Sequence, residues 1–355
     1  MTRILWFNMV MDAEAPVQGF MTEWVNAVAA RCEGVDVITM RQGTLRLAPN
    51  VRVYSVGKEK GYSEPRRVFE FYRILARLLR QNRYQAGFAH MIQHFAILAA
   101  PVLRVQGIPL TLWYAHKSTP LSLRIAVQLV DRIVSSSADG FRLPTAKVTY
   151  IGQGIDTQRF HPVERSQQPF TAISVGRIAP VKRLERMISA VQILRQDAAL
   201  PPVHLRLVGD ASPKDGDYLR QLQQQVQAAA LQSQVLFVGG IPHAAVMHEY
   251  QQADVMLNMS ATGSMDKAVL EAMACGLPAI TANEAYKTLL APWTDHLLTP
   301  PDSAEALAER LRHLLLRSVD ERRQLGADLR ALVVRDHSLD QLCTRLLSVL
   351  TQPKR

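Results

Sequence analysis

The sequence predicts an α/β chain of two doubly wound units, and three observations carry that reading. At 355 residues, 48% of them apolar, the chain is long for one domain and has enough apolar content for two cores. Short apolar runs alternate with helical patterns along its length, the mark of parallel sheets covered by helices on both faces. A polar connection, HPVERSQQP from His161 to Pro169, separates two such series and reads as a linker, so 1–163 and 164–355 are the expected domains.

In the first series Arg3 to Met9, Val35 to Met40, Val51 to Val56, Gln85 to His90, Ile108 to Tyr114, Arg132 to Ser135 and Lys147 to Ile151 read as strands. Helical periodicity fills several gaps between them, at Gly19 to Arg31, Pro65 to Gln81 and Pro120 to Val130. The apolar stretch Ala86 to Leu103 is broken by His90, Gln93 and His94 and followed by Arg104, so it reads as a buried strand and a helix rather than a membrane span. The second series runs TAISV, a helix from Lys182, VHLRLVG, a helix from Asp217 to Ala230, QVLFVG, a helix from His243, and DVMLNM. Three helical patterns after Asp302 close the chain. Each half thus has its own βαβ succession.

Composition narrows the function classes. Cys32, Cys275 and Cys343 lie far apart with no metal-ligand spacing, an odd count that points to buried apolar thiols in a reducing compartment. The start, MTRILWFNMVMDAEA, meets Asp12 and Glu14 before a signal-like apolar segment develops. Of the ten surplus positive charges nine fall in residues 1–163. That basic half raises the question of nucleic acid, but no base-reading motif is present and aromatics are only 6% of residues, so stacking platforms are scarce. No nucleic-acid partner is expected.

The most informative stretch is SATGSMDKAVLEAMACGLP, Ser260 to Pro278, which reads as a glycine-containing loop feeding a short helix with Glu271 in its second turn. Such a helix start turns free N–H groups and the positive end of its dipole toward an anion, and a diphosphate suits it. Upstream lies SVGRIAPVKRL from Ser174, where an apolar run ends in Gly176 and is followed by Arg177 and Lys182. Two cations at that spacing, between a strand end and a helix start, can close on one pyrophosphate from two sides.

Together, in this order, the two stretches resemble the family 4 glycosyltransferases, retaining enzymes of the GT-B fold. The resemblance covers most of the chain. It implies two Rossmann-like domains facing across a cleft, the first on the acceptor side, the second holding a nucleotide-diphosphate sugar, and a last helix that returns to the first domain. It also implies that Arg177 and Lys182 hold the donor's phosphates and stabilise the departing charge, and that Glu271, the second acid of a Glu-x7-Glu motif, holds the ribose hydroxyls. An acid in so apolar a helix needs partners, which fits that use.

The chain departs from the pattern at Gly263, where the family has its first Glu, an acid that touches the transferred sugar. Ser264, Met265 and Asp266 replace the usual Gly-Phe-Gly beside the donor. Two readings of Asp266 stay open: it takes over sugar recognition, or it is a simple N-cap. Lys267 either offsets its charge beside the phosphates or is a solvated helix residue.

On the other side, His116 in LTLWYAHKS stands just past an apolar strand, where relatives carry a histidine near the anomeric centre. A ring there positions hydroxyls, which a front-face displacement needs more than a strong base. His90 in GFAHMIQH has a similar strand-end place, and Gly19 alone remains to match the family's glycine-bearing loop; both are acceptor-side candidates, with a packed histidine as the alternative for either ring.

Asp215-Gly216-Asp217 has the form of a metal-binding Asp-x-Asp motif, yet it follows VGDASPK ahead of a helix, where turn and capping chemistry explain it. No metal and no cofactor are expected. The segment Pro65 to Arg83 sets Phe69, Tyr72, Leu75, Leu78 and Leu79 among six arginines. It suits an anionic membrane surface, or is a helix packed on the sheet with a solvated basic face.

The expectation is a retaining, metal-independent glycosyltransferase that takes a UDP- or GDP-sugar and serves a glycan or lipid-linked acceptor. Its expected place is the cytoplasm, with peripheral contact at the inner face of a membrane. The alternative keeps the fold and removes the transfer: a catalytically silent nucleotide-binding partner subunit, suggested by the missing first acid.

Overall fold

The computed structural model describes residues 2–15, 19–164, 169–261 and 263–352. The middle of the expected linker, 165–168, and three positions of the loop before Gly19, 16–18, lie outside the described residues.

The chain forms two compact units, Met1–Gly154 with Leu339–Arg355, and Ile155–Ser338. The first unit contains β1 (Arg3–Met11), α1 (Phe20–Ala29), β2 (Gly34–Gln42), β3 (Val51–Ser55), α2 (Glu64–Gln81), β4 (Ala86–His90), α3 (Gln93–Val105), β5 (Leu110–Trp113), α4 (Leu121–Leu129), β6 (Arg132–Ser135) and β7 (Val148–Tyr150). Its seven strands lie in the order β3-β2-β1-β4-β5-β6-β7, all parallel. Alternation along β1 builds both faces: Leu5 and Phe7 join a core with Phe71, Leu75, Phe95 and Leu123 of α2, α3 and α4. Ile4 and Trp6 join the opposite core with Trp24 and Val25 of α1.

The second unit contains β8 (Thr171–Val175), α5 (Leu184–Arg195), β9 (His204–Val208), α6 (Gly216–Ala228), β10 (Val235–Gly239), α7 (His243–Gln251), β11 (Val255–Asn258), α8 (Lys267–Ala274), β12 (Ala279–Thr281), α9 (Thr294–Leu297), α10 (Ala304–Leu316) and α11 (Val319–His337). Its five parallel strands lie in the order β10-β9-β8-β11-β12.

The units divide at Gly154/Ile155 rather than at 163/164. Ile155 donates its N–H to the His337 carbonyl at 2.7 Å, and Phe160 is buried in the second unit's core, so these residues are held there before the polar stretch begins. The last helix, α12 (Leu339–Thr351), belongs to the first unit, where Leu342, Cys343, Leu346 and Leu350 pack with Trp24 and Val28. Its Cys343 is a free thiol whose pKa burial pushes up to about 11.

The arginine-rich helix ends at Gln81, because Asn82 takes extended backbone, so Arg83 lies beyond it. Its apolar residues divide between two faces: Phe71, Ile74, Leu75 and Leu78 are buried, while Phe69 is 66% exposed and Tyr72 40%. Among the described residues no helix is long and apolar enough to cross a membrane.

Candidate active site

In the second sheet the chain winds one way from β8 through β9 to β10 and the other way through β11 to β12, so β8 and β11 flank the switch point. Open parallel sheets bind ligands outside the carboxyl ends of such a strand pair. Gly176, Arg177 and Lys182 follow β8, and Gly263 to Lys267 follow β11. Two stretches far apart in sequence therefore meet at one crevice.

Glycines shape the approach. Gly176 has φ +145°, and a Cβ there would stand 3.5 Å from Lys182 Cε, so the lysine passes over a position that carries no side chain. A Cβ on Gly209, at the end of β9, would come within 2.0 Å of the Gly176 carbonyl oxygen, so only glycine lets the two turns stack. Arg183, directly after Lys182, has φ +50°, a left-handed conformation that is uncommon away from glycine and that recurs where surroundings hold a functional turn.

Lys182 Nζ lies 2.9 Å from Asp266 Oδ2, and the same oxygen accepts a hydrogen bond from Asn258 Nδ2 at 2.7 Å. Asp266 occupies the N-cap position of α8, yet its side chain makes no capping hydrogen bond, so the simple-cap reading fails. Buried Tyr286 donates to the Asp266 carbonyl at 2.6 Å, and Asn283 Nδ2 to the Ser264 carbonyl at 2.7 Å. Burial first, then the charges of Asp266 and Glu271, raise the Tyr286 hydroxyl well above its usual pKa, so it stays a donor. Met265 is buried in the unit's core, and Lys267 opens α8. Arg177 is exposed, and among the described residues its guanidinium makes no hydrogen bond or ion pair.

Gly263 has φ +67°. A side chain at this left-handed position costs about 1–2 kcal/mol, so the glycine that stands where the family has an acid is matched to the loop's own backbone.

Glu271 is 6% exposed, with Oε1 3.0 Å from His243 Nε2 and Oε2 3.3 Å from the Tyr250 hydroxyl. Each oxygen has one partner in place, and an ionised carboxylate has about four acceptor positions, so capacity remains. Burial, followed by the charge of Glu271, raises the Tyr250 hydroxyl well above its usual pKa and keeps it a donor. Behind this helix a Cβ on Gly326 of α11 would meet the Gly276 carbonyl oxygen at 2.0 Å, and Arg330 donates to the carbonyls of Phe160, Thr157 and Ala274. These contacts fix the carboxyl end of α8.

In the first sheet the switch point lies between β1 and β4. Asn8 follows the last β1–β4 pair, Phe7 with Ala89, and is fully buried; neither side-chain atom has a hydrogen-bond partner among the described residues. His90 ends β4 in an aromatic cage, stacked on Trp113 at 5.7 Å between ring centroids and edge-on to Trp24 and Phe20 at 5.3 and 6.2 Å. The next residue, Met91, has φ +54°. Gly19 precedes α1, and a Cβ there would stand 2.9 Å from the Ala15 carbonyl oxygen. His116 is exposed beyond β5. Its Nδ1 accepts the Ser118 N–H at 3.0 Å with Ser118 Oγ at 2.7 Å, so a neutral ring carries its proton on Nε2.

Asp215 and Asp217 are local: Asp215 accepts from the Ser212 hydroxyl and Asp217 pairs with Arg220. A groove of about 1560 Å³ beside α11 in the second unit is lined by none of the residues at the switch. Sequence reasoning missed Asn8, His243, Tyr250, Asn258, Asn283 and Tyr286. A usable signal existed for Asn258, a polar residue closing an otherwise apolar strand at its carboxyl end.

Residues 156–331 match the family model described as "Glycosyl transferases group 1". The D-inositol 3-phosphate glycosyltransferase of Geodermatophilus obscurus is 26% identical over 220 residues, 56% of this chain and 49% of that protein. The chain spans half or less of the length of the curated relatives it matches. Among solved structures, sucrose-phosphate synthase from Thermosynechococcus elongatus superposes with a TM-score of 0.80 at 20% identity over 98% of both chains. HepE of Anabaena, in complex with UDP and glucose, gives 0.76 at 17% identity over 99% of this chain and 100% of its own. The fold is therefore GT-B, and the second unit, which contains the matched residues 156–331, belongs with the group 1, family 4-like glycosyltransferases.

Proposed function

We propose that this chain transfers a sugar, with retention and without a metal, from a UDP- or GDP-sugar to a glycan or lipid-linked acceptor. The observation that carries this is the second sheet's switch point, where Arg177 and Lys182 follow β8 and Lys182 meets Asp266 in the loop and helix start at 263–267, with buried Glu271 one turn further on. Cleaving the anomeric bond leaves charge on the departing diphosphate, and two cations placed in advance favour that state over the ground state. Arg177 and Lys182 take the phosphates. Glu271, already steadied by His243 and Tyr250, takes the ribose hydroxyls, and Gly263, Ser264, Met265, Asp266 and Lys267 form the donor-side loop. His116, with Nε2–H free of its Ser118 contact, orients a hydroxyl near the reacting carbon, while Gly19 and His90 stand on the acceptor side.

Incubation of the full chain with a panel of UDP- and GDP-sugars and mono- and disaccharide or lipid-linked acceptors tests this. Nucleotide release that needs both substrates is expected; no release and no nucleotide binding across the panel would sink the reading. The left-handed Gly263 in place of the first acid favours a second one, a silent nucleotide-binding partner subunit. Turnover by the purified chain alone eliminates it.

The peripheral membrane contact is part of the same proposal. Phe69 and Tyr72 share the solvent face of α2 with Arg66, Arg73 and Arg80, an arrangement that suits an anionic leaflet on the cytoplasmic side.

A further inference from the structure

Lys182 already has an anion in contact. Its ammonium and the Asp266 carboxylate sit 2.9 Å apart, the two side chains 22% and 20% exposed, and Asn258 holds the acid from the other side. The backbone of Asp266 is fixed in turn by the buried Tyr286 hydroxyl. Asp266 forgoes the capping bond its position offers, so its carboxylate is committed to the lysine and the asparagine.

This arrangement has a consequence for the diphosphate that Lys182 is read to bind, and it rests on that reading. A lysine side chain is a flexible stem with one compact charge, whereas Asp266 is short and tethered. The diphosphate and Asp266 are both anions and cannot both sit on one ammonium without repelling each other. We propose that Asp266 is the resident counter-ion of Lys182 and the competitor of the donor's diphosphate. Binding swings Lys182 from Asp266 to the phosphates, and Asn258 keeps the released carboxylate hydrogen-bonded. After transfer, Asp266 draws Lys182 back and lowers the hold on the nucleoside diphosphate product. Arg177, which has no such partner among the described residues, carries no competing anion.

Calorimetric titration of the full chain with UDP and with GDP tests this on the wild type, Asp266→Asn, Lys182→Ala and the double variant. Asp266→Asn keeps the shape and an acceptor for Asn258, and is expected to bind the preferred nucleotide about two- to fivefold tighter, the scale of one part-exposed charge contact. Lys182→Ala is expected to bind more weakly, and in that background Asp266→Asn should gain clearly less, because the competition runs through the lysine. Asp266→Ser, which also removes the charge, replaces Asp266→Asn if the latter does not fold. Equal or weaker binding by the folded charge-free variant overturns the competition while leaving the donor site standing. Equal tightening with and without Lys182 overturns it too, since plain repulsion then explains the effect. A folded wild type that binds neither nucleotide overturns the donor-site reading and this inference together.

Discussion

The two switch points of this chain are built from different materials. At β8/β11 the side chains are charged and mutually bonded: Lys182 to Asp266, Asp266 to Asn258, Glu271 to His243 and Tyr250. At β1/β4 they are aromatic, with His90 caged by Phe20, Trp24 and Trp113, and the buried amide of Asn8 has no hydrogen-bond partner among the described residues. The difference teaches how each switch could be used if the proposed function holds. A diphosphate asks for fixed cations and a helix start, which the charged switch has; at the other switch Trp24, Trp113 and His90 are buried against one another, so the rings serve packing and leave ligand contact to polar groups beside them.

Removing a cation from the charged switch breaks the comparison most directly. Arg177→Ala and Lys182→Ala are each expected to lower kcat/KM by about 2–4 kcal/mol, the scale of one preorganised donor to a developing charge. Both side chains stand outside the core, so thermal unfolding should move little. Wild-type turnover in either variant removes that residue from the phosphate site.

Next in size is Glu271. Glu271→Ala leaves the Tyr250 hydroxyl and His243 without their acceptor, at about 1–3 kcal/mol, and, in the proposed role, removes a ribose contact made both before and during reaction. The apparent KM should therefore rise more than kcat falls, with Glu271→Gln milder because it still accepts. An unchanged nucleotide dissociation constant in both variants makes Glu271 structural only.

A change of opposite sign sharpens the other side of the comparison. Asn8→Leu replaces two buried unpaired polar atoms by a group of similar volume, and is expected to stabilise the chain by about 1–2 kcal/mol in denaturant titration. A loss of stability would mean that Asn8 is satisfied in solution and that the first switch is as fully bonded as the second.

The charged switch was the more legible of the two from sequence, for a physical reason. Phosphate recognition needs a glycine and cations at set spacing on one strand-to-helix turn, and such local demands leave a local pattern, Gly176-Arg177 to Lys182. The ion pair between Lys182 and Asp266 spans 84 positions and leaves none. His243 and Tyr250 were equally hidden, since nothing in α7 states that it faces α8. Most strands could be placed because both faces of each sheet are buried and the runs stay apolar. The strand Ala279–Thr281 was missed because three residues cannot display a period. The unit boundary was read nine residues late because polar composition marks where a chain meets water, whereas Ile155 and Phe160 mark where a core begins.

The smallest expected effect concerns the face of α2, and the structure narrows which arginines to change. Arg66 lies over the Tyr62 ring at 3.6 Å, Arg73 pairs with Glu70 at 2.5 Å and Arg77 stands over Tyr54 at 5.1 Å, so each has an internal partner that shares its charge. Arg80 is exposed in the last turn and makes no ion pair among the described residues. A cation near an anionic leaflet contributes roughly 1 kcal/mol, so Arg80→Gln is expected to weaken sedimentation with phosphatidylserine-containing vesicles by about fivefold. Glu70→Gln should strengthen it, because Arg73 then faces the lipid without its carboxylate. Both effects should fade as salt rises, since screening acts over about 10 Å at 0.1 M. Turnover on a soluble acceptor should stay near wild type in both variants, because neither residue belongs to a switch point. If the wild type ignores such vesicles even at low salt, α2 is a packed helix with a solvated basic face and the peripheral contact is withdrawn.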